Sequence, residues 1–155
     1  MEKDKNSYVV IMAGGIGSRF WPLSKKSYPK QFHDILGVGK SLLRLTYERY
    51  LSVIEPENIF VITNASYTVL VNDQLPELPI ANIIDEPASM NTAPCVAYAS
   101  FKIYAQNPMA KLVFAPSDHL ITDEKDFVKN IKNALKVVEN NALLLTLGIK
   151  PNRPD

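Results

Sequence analysis

The amino-acid sequence predicts an α/β fold in which a mostly parallel sheet is covered by helices on both faces. Three observations predict it: short runs of Val, Ile and Leu have the length of strands, the segments between them have helical spacing, and five such runs alternate with four such segments along the chain. The strand runs show little alternation of apolar and polar residues, which is typical of strands buried on both faces. Strands joined by helices pair in parallel through right-handed crossovers.

Five apolar runs mark the strands. They are Tyr8–Ala13, Ile59–Thr63, Ala81–Ile84, Leu112–Ala115 and Leu143–Ile149. Ligands of such sheets bind beyond the carboxyl ends of the strands, so we expect the functional residues in the loops that follow these runs.

Four segments between the runs carry apolar residues at intervals of three and four, the spacing of one helix face. These residues are Leu42, Leu43, Tyr47, Tyr50, Leu51 and Ile54; Tyr67, Leu70, Val71 and Leu75; Val96, Ala97, Phe101 and Tyr104; and Phe127, Ile131, Leu135 and Val138. The fourth segment is the clearest helix, because its other faces carry charged residues and Asp123 stands near its start.

Composition and charge narrow the class of protein. A chain of 155 residues with 46% hydrophobic residues can bury the core of one domain without disulfides, so residues 1–155 are expected to lie in a single domain. A net charge of +1 provides no field that would draw the chain to nucleic acid or a membrane surface. A single cysteine, Cys95, and the lack of an apolar leader or membrane-length run predict a soluble cytoplasmic protein.

The first predicted strand runs directly into the glycine-rich segment Ala13-Gly14-Gly15-Ile16-Gly17-Ser18-Arg19. Three glycines allow positive φ and close approach of backbone N–H groups to an anion, as a phosphate-binding loop requires, although a tight turn can have the same composition. The segment is not a P-loop, because it lacks the Gly-Lys followed by Ser or Thr. It is not a dinucleotide-binding loop either: Phe20 replaces the third glycine, and the second strand ends at Thr63-Asn64 without an acidic residue.

Cations near the loop fit the binding of a polyphosphate. Arg19 adjoins the glycines, and Lys30 follows shortly after; both are candidates for neutralising phosphate charge, including charge in a transition state. Lys25 and Lys26 fit a solvated surface pair better than a pair of ligands.

The fourth predicted strand leads into Pro116-Ser117-Asp118-His119, which places a carboxylate at the same edge of the sheet. Mg²⁺ takes one or two carboxylates together with phosphate oxygens and water, so Asp118 is a candidate metal ligand; the alternative is a helix-cap or turn aspartate. His119 and His33 fit structural roles better than catalytic ones.

The segment after the third predicted strand begins a helix. Asn91 or Thr92 is expected to cap it, with Pro94 in its first turn and Cys95 as a small buried residue. The same loop stands where the base of a nucleotide would be read, although the spacing alone does not single out guanine.

Together these segments resemble the mannose-1-phosphate guanylyltransferases. The resemblance rests on Met12-Ala13-Gly14-Gly15-Ile16-Gly17-Ser18-Arg19-Phe20-Trp21-Pro22-Leu23-Ser24, Pro29-Lys30-Gln31-Phe32, Asn91-Thr92-Ala93-Pro94 and Pro116-Ser117-Asp118-His119, in this order. It implies a Rossmann-like nucleotidyltransferase fold of the glycosyltransferase A type, and transfer of GMP from GTP to mannose 1-phosphate with Mg²⁺, giving GDP-mannose and pyrophosphate. A nucleotidyltransferase for another sugar or base and a non-catalytic nucleotide-binding module are the alternatives.

The resemblance also implies roles for single residues. The nucleotide-binding set is Ala13, Gly14, Gly15, Gly17, Ser18, Arg19, Lys30, Asn91 and Thr92. Within it, Arg19 would hold the departing pyrophosphate and Lys30 would stabilise charge on the α-phosphoryl group. Asp118 would hold the magnesium ion, which completes a catalytic set of Arg19, Lys30 and Asp118.

The sequence departs from the family pattern in two places. Met90 stands where a basic residue commonly precedes Asn-Thr-Ala-Pro, and the chain ends in Lys150-Pro-Asn-Arg-Pro-Asp, where the family continues into parts that bind the sugar. We therefore expect a truncated chain that holds the nucleotide-binding part of the domain and is inactive alone. Homo-oligomer formation is left open.

Overall fold

The computed structural model describes residues 3–17, 20–87 and 91–148. Four strands and four α-helices lie within these ranges: β1 (Ser7–Met12), α1 (Leu42–Tyr50), β2 (Ile59–Asn64), α2 (Thr68–Gln74), β3 (Ile83–Glu86), α3 (Thr92–Tyr104), β4 (Lys111–Pro116) and α4 (Glu124–Glu139). Short 3₁₀ turns lie at Lys30–Phe32, Pro56–Asn58, Ala65–Tyr67 and Ile80–Asn82. The predictions for Ser18, Arg19, Met90 and the stretch from Ile149 onward fall outside the described residues.

Side-chain caps begin two of the helices where the sequence offers a short polar residue. The Ser41 hydroxyl accepts a hydrogen bond from the Arg44 N–H at 3.1 Å before α1. The Asp123 carboxylate accepts from the Asp126 N–H at 2.9 Å before α4. Each cap satisfies an N–H group that the first helical turn leaves without an intrahelical acceptor.

The four strands form one parallel sheet in the order β3-β2-β1-β4. The chain moves outward from β1 to β2 and β3, then crosses back to place β4 on the other side of β1. The strand order therefore reverses at β1, and the loops that leave the carboxyl ends of β1 and β4 lie side by side. In open parallel sheets this reversal point is where ligands bind.

Both faces of the sheet are covered, as the sequence predicted. On one face β1 contributes Val9 and Ile11 to a core that also contains residues of α1, α2 and α4. On the other face Val10 packs in a smaller core against α3, whose buried residues are Cys95, Ala99 and Ile103. Successive residues of β1 thus enter opposite cores, which explains why its apolar run is continuous.

The prediction of a fifth strand at Leu143–Ile149 is wrong for residues 143–148, the part of it that the structure describes. Residues 142–148 contain no strand, and Leu144 is fully exposed. A strand requires a hydrogen-bonded neighbour, and no described strand pairs with this run. The third strand begins two residues later than predicted, at Ile83, because Ile80–Asn82 forms a 3₁₀ turn before it.

No helix within the described ranges combines the length and the apolar composition needed to cross a membrane.

Candidate active site

The candidate site is formed by the loops after β1 and β4. The glycine loop, residues 13–17, leaves the carboxyl end of β1, and its first residue stays tied to the sheet because the Ala13 N–H donates to the Ile62 carbonyl at 2.8 Å. The loop after β4 is tied to β1 in the same way, since the Ser117 N–H donates to the Met12 carbonyl at 3.2 Å. The sheet therefore sets the distance between the two loops.

Buried side chains hold the carbonyl groups of the glycine loop. Gln31 Nε2 donates to the carbonyl oxygen of Ala13 at 2.8 Å and to that of Gly15 at 3.0 Å. Thr63 Oγ1 also donates to the Ala13 carbonyl, at 2.9 Å. Ser24 Oγ donates to the carbonyl of Ile16 at 2.8 Å. Three carbonyl groups of a five-residue loop thus have defined partners in the protein interior.

The three glycines differ in what surrounds them. Gly17 has a φ of 61°, a conformation that strongly favours glycine. A Cβ atom on Gly17 would lie 2.7 Å from Ser24 Oγ and 2.9 Å from Lys30 Cγ. A Cβ atom on Gly14 would lie 3.4 Å from Glu86 Oε2, and one on Gly15 would meet nothing within 4 Å. Gly17 is therefore required both by its conformation and by the side chains packed beside it.

Lys30 lies at the centre of the site. Its backbone N–H donates to Ser24 Oγ at 2.9 Å, and its ammonium group lies 4.7 Å from the centroid of the Phe20 ring. The ammonium forms an ion pair with the carboxylate of Asp118, and both side chains are only about a quarter exposed or less. The structure thus brings together Lys30, Asp118 and the glycine loop, which the sequence analysis placed at one edge of the sheet.

Asp118 lies on a loop held from both sides. Besides the bond from Ser117 to β1, the buried Thr46 hydroxyl of α1 donates to the Ser117 carbonyl at 3.3 Å. Among the described residues no group of three His, Cys, Asp or Glu side chains could by itself hold a metal ion. A single carboxylate is compatible with Mg²⁺, which takes its other ligands from phosphate oxygens and water.

Glu86 is a site residue that the sequence reasoning missed. It ends β3, and its carboxylate lies beside Gly14 at the same edge of the sheet. Burial, together with the negative charge of Glu86, raises the pKa of the Cys95 thiol to about 11. The only signal in the sequence was that an acidic residue ends the third strand. The prediction ended this strand at Ile84, two residues too early, and therefore did not include Glu86.

The loop before α3 was predicted only in part. Pro94 lies in the first turn and Cys95 is buried, as expected, but Asn91 and Thr92 are exposed. Asn91 occupies the N-cap position with a φ of 69°, and its side chain makes no capping hydrogen bond. The cap prediction is therefore wrong for the side chain, because this backbone conformation differs from the extended one that N-cap residues adopt.

The remaining charged candidates lie at the edge of the site or outside it. Lys25 and Lys26 are exposed, as expected of a solvated pair. His119 is also exposed, whereas a ring nitrogen of His33 shares a 3.1 Å hydrogen bond with the Tyr28 carbonyl, in keeping with a structural role.

Two surface cavities lie away from the glycine loop. One of about 230 Å³ is lined by α3 and β4 residues, among them Phe101, Tyr104 and Leu112. The other, of about 390 Å³, lies between α1 and α4 and is lined by residues that include Arg49 and Glu124. Neither cavity is lined by the glycine loop, Lys30 or Asp118.

Sequence comparison finds relatives over nearly the whole chain. The sequence model described as "Nucleotidyl transferase" matches residues 8–155. A mannose-1-phosphate guanylyltransferase of Salmonella montevideo is 42% identical over 148 residues, which cover 94% of this chain and 30% of the relative. The enzyme of the same name from Escherichia coli K12 is 40% identical, over 96% of this chain and 31% of its own length. The chain thus spans about 30% of the length of these curated relatives.

Comparison with solved structures agrees with the sequence result. A crystal structure described as mannose-1-phosphate geranyltransferase from Thermus thermophilus superposes with a TM-score of 0.75 at 28% identity, covering 87% of this chain and 39% of that one. A structure described as mannose-6-phosphate isomerase from Helicobacter pylori superposes with a TM-score of 0.62 at 24% identity, covering 85% of this chain and 46% of that one, which supports the fold alone.

Proposed function

Because the chain belongs to the nucleotidyl transferase family, we propose that the protein transfers GMP from GTP to mannose 1-phosphate, forming GDP-mannose and pyrophosphate. The relatives named mannose-1-phosphate guanylyltransferase support this reaction. The observation that carries the proposal is the meeting of the glycine loop with the Lys30–Asp118 ion pair at the carboxyl ends of β1 and β4.

A nucleoside triphosphate suits this arrangement of charge. Glycine-loop N–H groups and the Lys30 ammonium offer positive charge to the phosphates, as would Arg19, which follows the loop in the sequence, while Asp118 offers negative charge to a cation bound with them. Lys30 and Asp118 neutralise each other across their ion pair. In a complex with a magnesium–nucleoside triphosphate, Lys30 would pair with a phosphate oxygen and Asp118 with the magnesium ion. Each of the two charged side chains would therefore still have a partner of opposite charge.

The proposed reaction needs little general acid–base catalysis. The attacking phosphate of a sugar 1-phosphate is already an anion, so alignment and charge stabilisation supply most of the rate. We assign to Lys30 the stabilisation of negative charge on the α-phosphoryl group, and to Arg19 the hold on the pyrophosphate. The acceptor phosphate attacks from the side opposite the pyrophosphate.

Magnesium belongs to this proposal. The carboxylate of Asp118 is the described group that would hold it, together with oxygens of the nucleotide and water. When bound, the ion supplies positive charge to the phosphoryl oxygens.

Glu86 is our candidate for reading the base. Guanine presents two adjacent N–H donors on its Watson–Crick edge, and an ionised carboxylate is an acceptor with two oxygens. Adenine has no N–H at the corresponding ring position, so the same carboxylate would face an unprotonated ring nitrogen. The carboxylate of Glu86 lies beside Gly14 at the start of the glycine loop, and on this position we propose that it selects guanine over adenine.

Further parts of the proposal concern the rest of the protein. Since the chain spans about 30% of its curated relatives, we propose that it supplies the nucleotide-binding side and that the mannose-binding residues lie elsewhere in the protein. Asn91 and Thr92, at the start of α3, would lie near guanosine. A cytoplasmic location is part of the same proposal, because the chain has a single cysteine and therefore no disulfide of its own.

A panel of substrates tests the proposed function. The whole protein is incubated with Mg²⁺, each of the four ribonucleoside triphosphates, and mannose 1-phosphate or glucose 1-phosphate, and the sugar nucleotides are identified by mass spectrometry. We expect GDP-mannose as the main product. Preference for another nucleotide or sugar phosphate would replace the proposed substrate, and nucleotide binding without any sugar nucleotide would favour a non-catalytic module.

The same panel of substrates tests whether Glu86 recognises the base. Glu86→Gln retains the shape of the side chain but replaces one acceptor oxygen with a donor, so discrimination between GTP and ATP in kcat/KM is expected to fall by about tenfold or more. Glu57→Gln, at a surface turn distant from the loop, is the matched control and should leave the ratio unchanged. An unchanged ratio in Glu86→Gln would remove the residue from base recognition.

A further inference from the structure

We propose that Gln31 and Ser24 are positioning residues that turn three backbone N–H groups of the glycine loop toward the phosphates of the nucleotide. The inference rests on the proposed function and assigns a role to two residues that do not themselves contact the substrate. Both side chains are buried, with 2% and 3% of their surface exposed, and both make hydrogen bonds to loop carbonyls.

The geometry of the peptide bond determines the direction in which these N–H groups point. In a trans peptide the C=O of one residue and the N–H of the next point in opposite directions. The carbonyls of Ala13 and Gly15 are directed to Gln31, and the carbonyl of Ile16 is directed to Ser24. The N–H group that follows each carbonyl must therefore point away from the protein interior. These N–H groups belong to Gly14, Ile16 and Gly17.

The three N–H groups donate to no acceptor among the residues that the structure describes. Their residues are partly or well exposed, and Gly15 between them has open space where a side chain would be. The N–H groups of Ile16 and Gly17 are successive, and successive N–H groups that turn toward one side of a loop form a concave binding site for an anion such as a phosphate group.

Ser24 connects the glycine loop to Lys30. Its hydroxyl donates to the Ile16 carbonyl and accepts from the backbone N–H of Lys30, so one oxygen fixes both the loop and the residue that carries the ammonium. Gln31 is the next residue in the chain and holds the other two carbonyls. The two side chains thus set the loop N–H groups and the start of the Lys30 side chain in one arrangement.

Gln31→Met tests the role of the amide. Met has a similar length and no hydrogen-bond donor, so the Gly15 carbonyl loses its partner and the Ala13 carbonyl keeps only Thr63 Oγ1, without a large change in volume. Asn82→Leu is the matched control: Asn82 is also buried, and its amide donates to the carbonyls of Glu57 and Ile59 at 2.9 Å each, at the opposite end of β2. Both variants lose two amide-to-carbonyl bonds, but only one loses them at the loop.

The measurements are the thermal midpoint and the Kd values for GTP, ATP and inorganic tripolyphosphate, by calorimetry on the whole protein. We expect both variants to lose some thermal stability, and only Gln31→Met to bind GTP and tripolyphosphate about tenfold or more weakly. The ratio of GTP to ATP affinity should stay unchanged, because the base is not involved. Equal affinities in Gln31→Met and the wild type, or equal losses in the two variants, would overturn the inference.

Ser24→Ala keeps the inference testable if Gln31→Met does not fold. It removes one hydroxyl from a buried position and is expected to weaken tripolyphosphate binding in the same sense, and an unchanged Kd would overturn the inference. Binding measurements on the wild-type protein distinguish a failure of the proposed function from a failure of the positioning role. If it binds neither GTP nor tripolyphosphate, the proposed function fails; if it binds both and the variants bind equally well, only the positioning role fails.

Discussion

Replacing Gly17 with alanine tests whether the glycine loop is packed against Ser24 and Lys30 as described. Gly17 has a φ of 61°, and this left-handed conformation costs an L-residue about 1–2 kcal/mol. The added Cβ would also lie 2.7 Å from Ser24 Oγ and 2.9 Å from Lys30 Cγ, well inside normal contact distance. Overfilling a packed site costs about 1–3 kcal/mol, so Gly17→Ala should destabilise the fold by roughly 2–5 kcal/mol.

Gly37→Ala separates the two contributions. Gly37 has a similar φ of 68°, but a Cβ there would meet nothing within 4 Å, so this variant should lose only the conformational part, about 1–2 kcal/mol. Urea unfolding of the wild type and both variants gives the free energies of unfolding. The reasoning is refuted if Gly17→Ala and Gly37→Ala lose the same stability, because the contacts with Ser24 and Lys30 would then cost nothing.

Three further predictions concern single groups. Asp118→Asn should keep the fold but raise the Mg²⁺ concentration needed for half-maximal pyrophosphate release, and an unchanged magnesium titration would make Asp118 structural only. Burial and the charge of Glu86 raise the pKa of Cys95 to about 11, so iodoacetamide should label the native protein at pH 8 far more slowly than the unfolded chain; equal rates would contradict this. Although burial opposes it, hydrogen bonds from Lys111, Ser7 and the Asn6 N–H lower the pKa of Asp4 from 3.8 to about 2. That carboxylate therefore stabilises the fold above pH 4 or so and loses this effect as the pH falls toward about 2, so Asp4→Asn should reduce the acid dependence of the urea midpoint, and an unchanged dependence would exclude this role.

The fold could be predicted largely because its strands and helices differ in period. β1 and β2 are continuous apolar runs that face two cores, and α4 shows a helical face together with an Asp123 cap. The run at 143–149 has the same composition as a strand and still forms none over its described part, since pairing depends on a neighbour that a local pattern does not contain.

The site could be predicted where position along a strand determines position in space. Asp118 follows β4, so the rule that ligands bind beyond the carboxyl ends of parallel strands predicted it beside the glycine loop, whereas Lys30 was predicted there because it follows that loop in the chain. Gln31 and Glu86 were missed as site residues for a different reason. A buried amide and a strand-end carboxylate have no periodic pattern, and only the folded backbone brings one below the glycine loop and the other beside it.

The most direct test of the central claim is mannose 1-phosphate-dependent release of pyrophosphate from GTP, measured for the wild-type whole protein and for Lys30→Ala. We expect the wild type to release pyrophosphate only when the sugar phosphate is present. Lys30→Ala should lower kcat by roughly two to three powers of ten and change the Kd for GTP far less, because the ammonium acts mainly on charge that develops in the transition state. Wild-type turnover in Lys30→Ala, or sugar-independent release by the wild type, would contradict the account.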